Sequence, residues 1–331
     1  PPMLMAAGGD PEVTELGPQD APAVASLVAA QGWDQPVEDV LTVLNLVHAD
    51  ETRVSAALGH HTATHGLVGC AILLTIGQST GWISYVITLE AFRGRGLARR
   101  LCSQLVQRAD AHMLGLFGAV PGQPLYTSLG FVPHLPVTLR CASVIPISAN
   151  VHSTPAATRV ERLSPAILEL GLTTESRPRA VAARKWQATH PELAFALFDI
   201  AAEKRDRTPP LGYILGRRWR DGAIFFGPLW LRDPHHARAV DHVRALLIAG
   251  MHAALSCPTP SGVEPRVLVL SGQNDIVDAL LSALGFQPVV EGGQFMTRAP
   301  RGEAQVPHTQ TIISIGELPR GEVLAAGYDF G

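Results

Sequence analysis

The chain has 331 residues, 47% of them hydrophobic and 17% charged, with a formal net charge of −3. That length and balance predict a globular protein of about two domains, and the mild negative charge excludes a general nucleic-acid binder. No apolar run approaches the roughly 18 residues of a membrane span, and the four scattered cysteines (Cys70, Cys102, Cys141, Cys257) form no Cys-x-x-Cys pair for zinc or redox chemistry.

Taken in order, Val13 to Pro18 reads as a short strand entering a helix that Asp20 caps and whose apolar face is Val24, Leu27 and Val28. Gly32-Trp33-Asp34 ends that helix, and a second covers Val37 to His48. Strands are expected at Arg53–Leu58 and Leu67–Ile76, joined by a loop, Gly59 to His65, that carries three histidines. No fourth ligand lies near them, so no metal is expected. Trp82 to Leu89, rich in β-branched and aromatic residues, is the next strand. Leu97, Leu101 and Leu105 recur at helical spacing, with Arg99, Arg100, Gln104 and Arg108 on the other face, so an amphipathic helix follows. A strand at Leu114–Val120, a helix carrying Tyr126 and a strand at Val132–Val144 complete this half.

The pattern then restarts. Val160-Glu-Arg-Leu-Ser-Pro165 echoes Val13-Thr-Glu-Leu-Gly-Pro18, and Leu284-Gly-Phe286 echoes Leu129-Gly-Phe131. This predicts an internal duplication: one domain over residues 1–147, a second over 159–331, joined near Ser148–Thr158. The fold class expected is α/β with a mixed sheet in each domain.

Between the Trp82 strand and its helix sits Arg93-Gly-Arg-Gly96. Glycines let a backbone approach a ligand closely, and the free N–H groups at a helix start favour an anion, a pyrophosphate above all. Arg93, Arg95, Arg99 and Arg100 add positive charge around that spot. A dinucleotide fingerprint fits poorly, because the third glycine position is Arg99.

Arg93-x-x-Gly96-x-Ala98 and, one strand and one helix later, Leu125-Tyr-x-x-Leu-Gly-Phe131 resemble the two signatures of the GNAT family of N-acetyltransferases. The resemblance implies acetyl-CoA as cofactor, with tandem GNAT-like acyl-CoA N-acyltransferase domains. It implies that the backbone of Val86, Ile87 and Thr88 holds the pantetheine arm. It places the pyrophosphate on Arg93, Gly94, Arg95, Gly96, Leu97, Ala98 and Arg99, and makes Tyr126 the acid that protonates the CoA sulfur. Trp33 and Asp34 lie where family members shape the acceptor pocket. The acceptor is a small-molecule or peptide amine, with no nucleic acid or membrane partner. Ala119 stands where many members have an asparagine. In the second half Leu281 replaces the tyrosine, and the turn Leu231 to His236 has no glycine, so that copy is expected to be non-catalytic. The general base is open among Glu90, Asp34, His134 and His112. A CoA- or acyl-CoA-binding sensor or scaffold without turnover is the alternative function. The opening residues lack a basic region, so a cytoplasmic protein is expected.

Overall fold

In the computed structural model the described residues are 11–33, 35–50, 54–76, 80–110, 112–143, 158–172, 177–200, 208–219, 221–233, 236–259, 263–272, 275–302 and 322–324. Asp34 lies outside them, as does Pro234 of the turn Leu231 to His236.

The first half runs β1 (Glu12–Glu15), α1 (Ala21–Ala29), α2 (Val37–His48), β2 (Ala56–Thr62), β3 (Gly66–Ile76), β4 (Thr80–Thr88), α3 (Leu97–Arg108), β5 (Met113–Gly118), α4 (Gln123–Ser128) and β6 (Val132–Ser143). The second repeats that order: β7 (Thr158–Arg162), α5 (Pro165–Gly171), α6 (Arg177–Thr189), β8 (Ala194–Asp199), β9 (Gly212–Arg218), β10 (Ile224–Leu231), α7 (Ala239–Leu255), β11 (Arg266–Gly272), α8 (Asp275–Ala283) and β12 (Gln287–Arg298). A last strand, β13 (Glu322–Leu324), follows.

The helices form where apolar residues recur on one face. In α3 the buried set is Leu97, Leu101, Cys102, Leu105 and Val106; the last four pack with Leu73, Leu114 and Phe131 on one face of the sheet, and Leu97 packs with Val68 and Phe92. On the opposite face Val24 and Val28 of α1 and Val40 and Leu44 of α2 cover Ile72, Tyr85 and Ile87. The histidine run departs from expectation. His60 and His61 belong to β2, which extends to Thr62, because β2 continues its pairing with β3 through His61 and Thr62. His60 is fully buried, and its Nε2 lies 3.1 Å from the Leu97 carbonyl oxygen. Among the described residues no cluster of His, Cys, Asp or Glu is placed to hold a metal ion, and no helix is long and apolar enough to cross a membrane.

The two halves do not form two sheets. All the strands belong to one sheet, in the order β1-β2-β3-β4-β5-β12-β6-β11-β10-β9-β8-β7, with β13 on β10. Each half gives its last strand to the other. β12 pairs antiparallel with β5, Phe295 opposite Phe117 and Met296 opposite Leu116. β6 pairs with β11, Leu139 opposite Leu270. The two exchanged strands lie side by side at the centre. Aromatic packing crosses the same boundary: Phe295 stacks on Trp82 with centroids 5.7 Å apart and meets Phe117 edge-on at 5.9 Å. Leu168 of α5 and Trp186 of α6 belong to the same core cluster as Leu74 and Trp82.

Candidate active site

β4 and β5 are parallel neighbours only at their beginnings, where Thr80, Gly81 and Trp82 face Met113, Leu114 and Gly115. Beyond Trp82 they diverge. The divergence coincides with a bulge: Cys70 opposes Ile87 and Ile72 opposes Ser84, so Tyr85 and Val86 together oppose Ala71. Tyr85 has φ +50°, the left-handed region that a bulky side chain enters only at a cost, and no other non-glycine among the described residues has a positive φ. Its hydroxyl donates to Gln35 Oε1 at 2.9 Å, and its carbonyl accepts from Cys70 Sγ at 3.2 Å. Among the described residues β4 pairs with β5 only through Trp82, and Ile83 to Thr88 line a cleft of about 480 Å³ beyond that point.

At one end of the cleft the chain turns into α3. Gly94 and Gly96 both have φ +75°, and a Cβ on either would meet no atom within 4 Å. Both glycines line the cleft. Gly96 caps α3 with its backbone, with no side-chain cap, so the N–H groups of the first turn lack intrahelical partners. Arg93 braces this end: its Nε donates to the Thr88 carbonyl at 3.1 Å and its guanidinium to Gln31 Oε1 at 2.7 Å. Thr88 Oγ1 is buried without a hydrogen-bond partner among the described residues.

Tyr126, on α4, lines the opposite wall and is 7% exposed. Its ring packs against Gly118 and Gly122; a Cβ at Gly122 would come within 2.8 Å of Tyr126 Cε2. Burial, with Cys102 as a smaller influence, pushes its phenol pKa above the ordinary value. The Cys102 thiol behind it is itself pushed up to about 12 by burial, which makes it a packing residue rather than a nucleophile.

Val86, Ile87, Thr88, Arg93, Gly94, Gly96, Leu97, Ala98, Arg99 and Tyr126, drawn from two separate motifs, line one cleft, and so does Trp33. Arg95 does not: its guanidinium donates to the Ala91 carbonyl at 3.2 Å and lies over the Phe92 ring at 5.1 Å. Ala119, the departure from the motif noted in the sequence, also lines the wall. Glu90 is exposed on the turn Glu90–Phe92, and His134 Nε2 is 2.5 Å from Thr297 Oγ1 on β12. Neither these nor His112 lines the cleft. Sequence reasoning missed Gln31, Tyr85 and Phe117, which also face it. Only the alternation of β5 offered a signal for Phe117.

A free strand edge, a turn with two glycines open to the cleft, unpaired helix N–H groups and an unpartnered threonine hydroxyl fit an elongated ligand with amides along its length and an anion at one end. The second half splits similarly, β10 and β11 pairing only at Ile224–Phe225 with Val267–Leu268. There β13 pairs with Leu229 and Trp230 along β10.

Residues 57–133 match the sequence profile of the Acetyltransferase (GNAT) domain family. No curated protein matches the chain. Among solved structures, a GCN5-related N-acetyltransferase from Sphaerobacter thermophilus aligns at 16% identity and TM-score 0.60, over 89% of this chain and 97% of that one. A tandem GNAT protein from the clavulanic acid biosynthesis pathway aligns at 16% identity and TM-score 0.61, over 88% and 99%. Identity this low bears on fold alone. The cleft just described falls largely within the matched segment, and the strand–turn–helix at its centre lies wholly inside it: residues 57–133 carry a GNAT acetyltransferase domain, set within a mixed α/β fold shared with GNAT structures that include a tandem one.

Proposed function

We propose that the chain is an acetyl-CoA-dependent N-acetyltransferase with one active site, in the cleft between β4 and β5. The observation that carries this reading is the convergence of two separate motifs on that cleft, Arg93-to-Ala98 at one end and Tyr126 on the wall. When bound, the cofactor supplies an acetyl group activated as a thioester. The free edge of β4 at Val86, Ile87 and Thr88 receives the pantetheine amides as an added strand would be received. The turn Gly94 to Arg99 takes the pyrophosphate on backbone N–H groups and the positive end of α3.

The acceptor amine attacks in its neutral form, within a ternary complex. Tyr126, held protonated by its burial, would donate its hydroxyl proton to the sulfur as the C–N bond forms and the C–S bond breaks, and the proton that the acylated amine loses would pass to water, from which the phenol is restored. Such general-acid help contributes about 10²–10⁴-fold, and positioning of the two reactants supplies much of the rest. Trp33 borders the acceptor end. The second half is non-catalytic in this reading: no glycine stands between Pro228 and Ala249 to form a phosphate turn, and Leu281 is buried at the position of Tyr126. The protein acts in the cytoplasm on a small-molecule or peptide amine.

Isothermal titration is the test. One CoA should bind per chain, and Gly96→Val should abolish binding, because it strains a φ of +75° and puts methyl groups where the phosphates lie. A panel of small amines, aminosugars, polyamines and peptides with acetyl-CoA then separates an enzyme from a CoA-binding sensor. No binding at millimolar CoA overturns the reading; binding with no transfer to any amine favours the sensor.

A further inference from the structure

The turn that carries Trp33 is tied at both ends to the strand and turn on the far side of the cleft. Gly32, at φ +74°, closes α1: its N–H donates to the Ala29 carbonyl at 2.9 Å, and the Trp33 N–H donates to the Val28 carbonyl at 3.2 Å. That paired closure fixes the direction in which the chain leaves the helix. After the turn, Gln35 is 1% exposed, and its Oε1 accepts from the Tyr85 hydroxyl of β4 at 2.9 Å. Before it, Gln31 Oε1 accepts from the Arg93 guanidinium at 2.7 Å. Gln31, Trp33, Tyr85 and Arg93 all line the cleft.

The two ties differ in kind. Gln35 and Tyr85 are both buried, so their bond belongs to the core, where a polar group needs a partner. Arg93 is exposed and Gln31 partly buried, and a bond at the surface contributes little to stability. What it supplies is direction. The planar Arg93 fork donates to the Thr88 carbonyl through Nε and to Gln31 through a terminal nitrogen. One rigid group therefore spans from the end of β4 to the turn after α1, which a lysine at that position could not do with the same geometry.

We propose that Gln31 is a positioning residue for the acceptor: through Arg93 it holds the turn in place, so that the Trp33 ring stands as a fixed wall of the cleft. This rests on the acetyl-CoA reading above, in which Trp33 borders the acceptor end. The test is Gln31→Ala in the full chain, with Gln31→Glu as the conservative variant, whose carboxylate also accepts from Arg93. Of the five tryptophans Trp33 is partly buried and the other four are buried, so acrylamide quenching of fluorescence reports chiefly on Trp33. In Gln31→Ala the quenching should rise roughly twofold, and KM for the best amine of the panel roughly fivefold, the scale of one hydrogen bond. The kcat, CoA affinity and melting temperature should stay near the parental values, and Gln31→Glu should restore both quenching and KM. A merely structural bond would move the melting temperature and leave KM alone. Parental quenching or parental KM in Gln31→Ala overturns the proposal, and so does a Gln31→Glu that behaves like Gln31→Ala. Should the parent chain transfer to no amine, the enzyme reading fails on its own, and quenching in the two variants still decides whether Gln31 holds the turn.

Discussion

At the scale of single residues, the cleft divides its work between groups that touch a ligand and groups that shape the wall. Tyr126 is of the first kind in the reading proposed here. Its ring is held by the absence of side chains at Gly118 and Gly122, so its hydroxyl has a defined position before any ligand arrives. Tyr126→Phe should lower kcat by about 10²-fold while CoA affinity stays at the parental value, since only the proton donor is lost. Steady-state rates measured where chemistry limits turnover check this; an unchanged kcat returns Tyr126 to the role of a core aromatic. Both tyrosines on the cleft are buried, yet only Tyr126 stood in a motif. Tyr85 reads in sequence as an ordinary strand residue, because nothing in Ile83-Ser-Tyr-Val-Ile-Thr-Leu89 announces a left-handed φ.

Elements explain how that position is kept. The α3 turn was legible because its glycines are needed locally and their neighbours in space are their neighbours in sequence. The buried histidines were less so: His60 was expected in a loop and lies instead within β2, reaching the Leu97 carbonyl at the first residue of α3. Burial lowers the pKa of His60, as it does for His190 and His242. The folded state thus prefers these rings neutral. Below about pH 6.5 the unfolded chain takes up protons that the folded chain refuses, so stability is full above that value and is lost as pH falls through the depressed folded values. Melting temperatures recorded from pH 7.5 to 5 should decline, and His60→Gln should flatten part of the slope. A flat profile in the parent chain would contradict this account.

For the whole molecule, the order of elements repeats from one half to the other, while the way the halves join was not visible in the sequence. Alternating apolar residues on β5 look the same whether the next strand is β6 or β12, and the pairing that decides it links segments far apart in the chain. The physical outcome is that the wall carrying Tyr126 leans on the second half. Met296 packs at Gly118, Phe295 stacks on Trp82, and Arg298 Nε donates to the Leu129 carbonyl at 3.1 Å. Removing one buried Phe side chain typically costs about 3–5 kcal/mol, and removing β12 also strips the hydrogen bonds from the edge of β5. A fragment of residues 1–147 should therefore fail to form a soluble, CoA-binding unit. Circular dichroism and limited proteolysis of that fragment test it, and a folded monomer with parental CoA affinity would refute it.

The exchanged strands also set an order in time. β5 is complete at Gly118, but its neighbour begins at Gln287, about 170 residues later, which at roughly 5–20 residues per second is on the order of 10–30 s of synthesis. Through that interval the nascent first half has its helices and hairpins but a bare edge at β5, open to any extended segment nearby. A chain cut short before Gln287 would therefore carry both motifs that line the cleft and lack the strand that covers its β5 side.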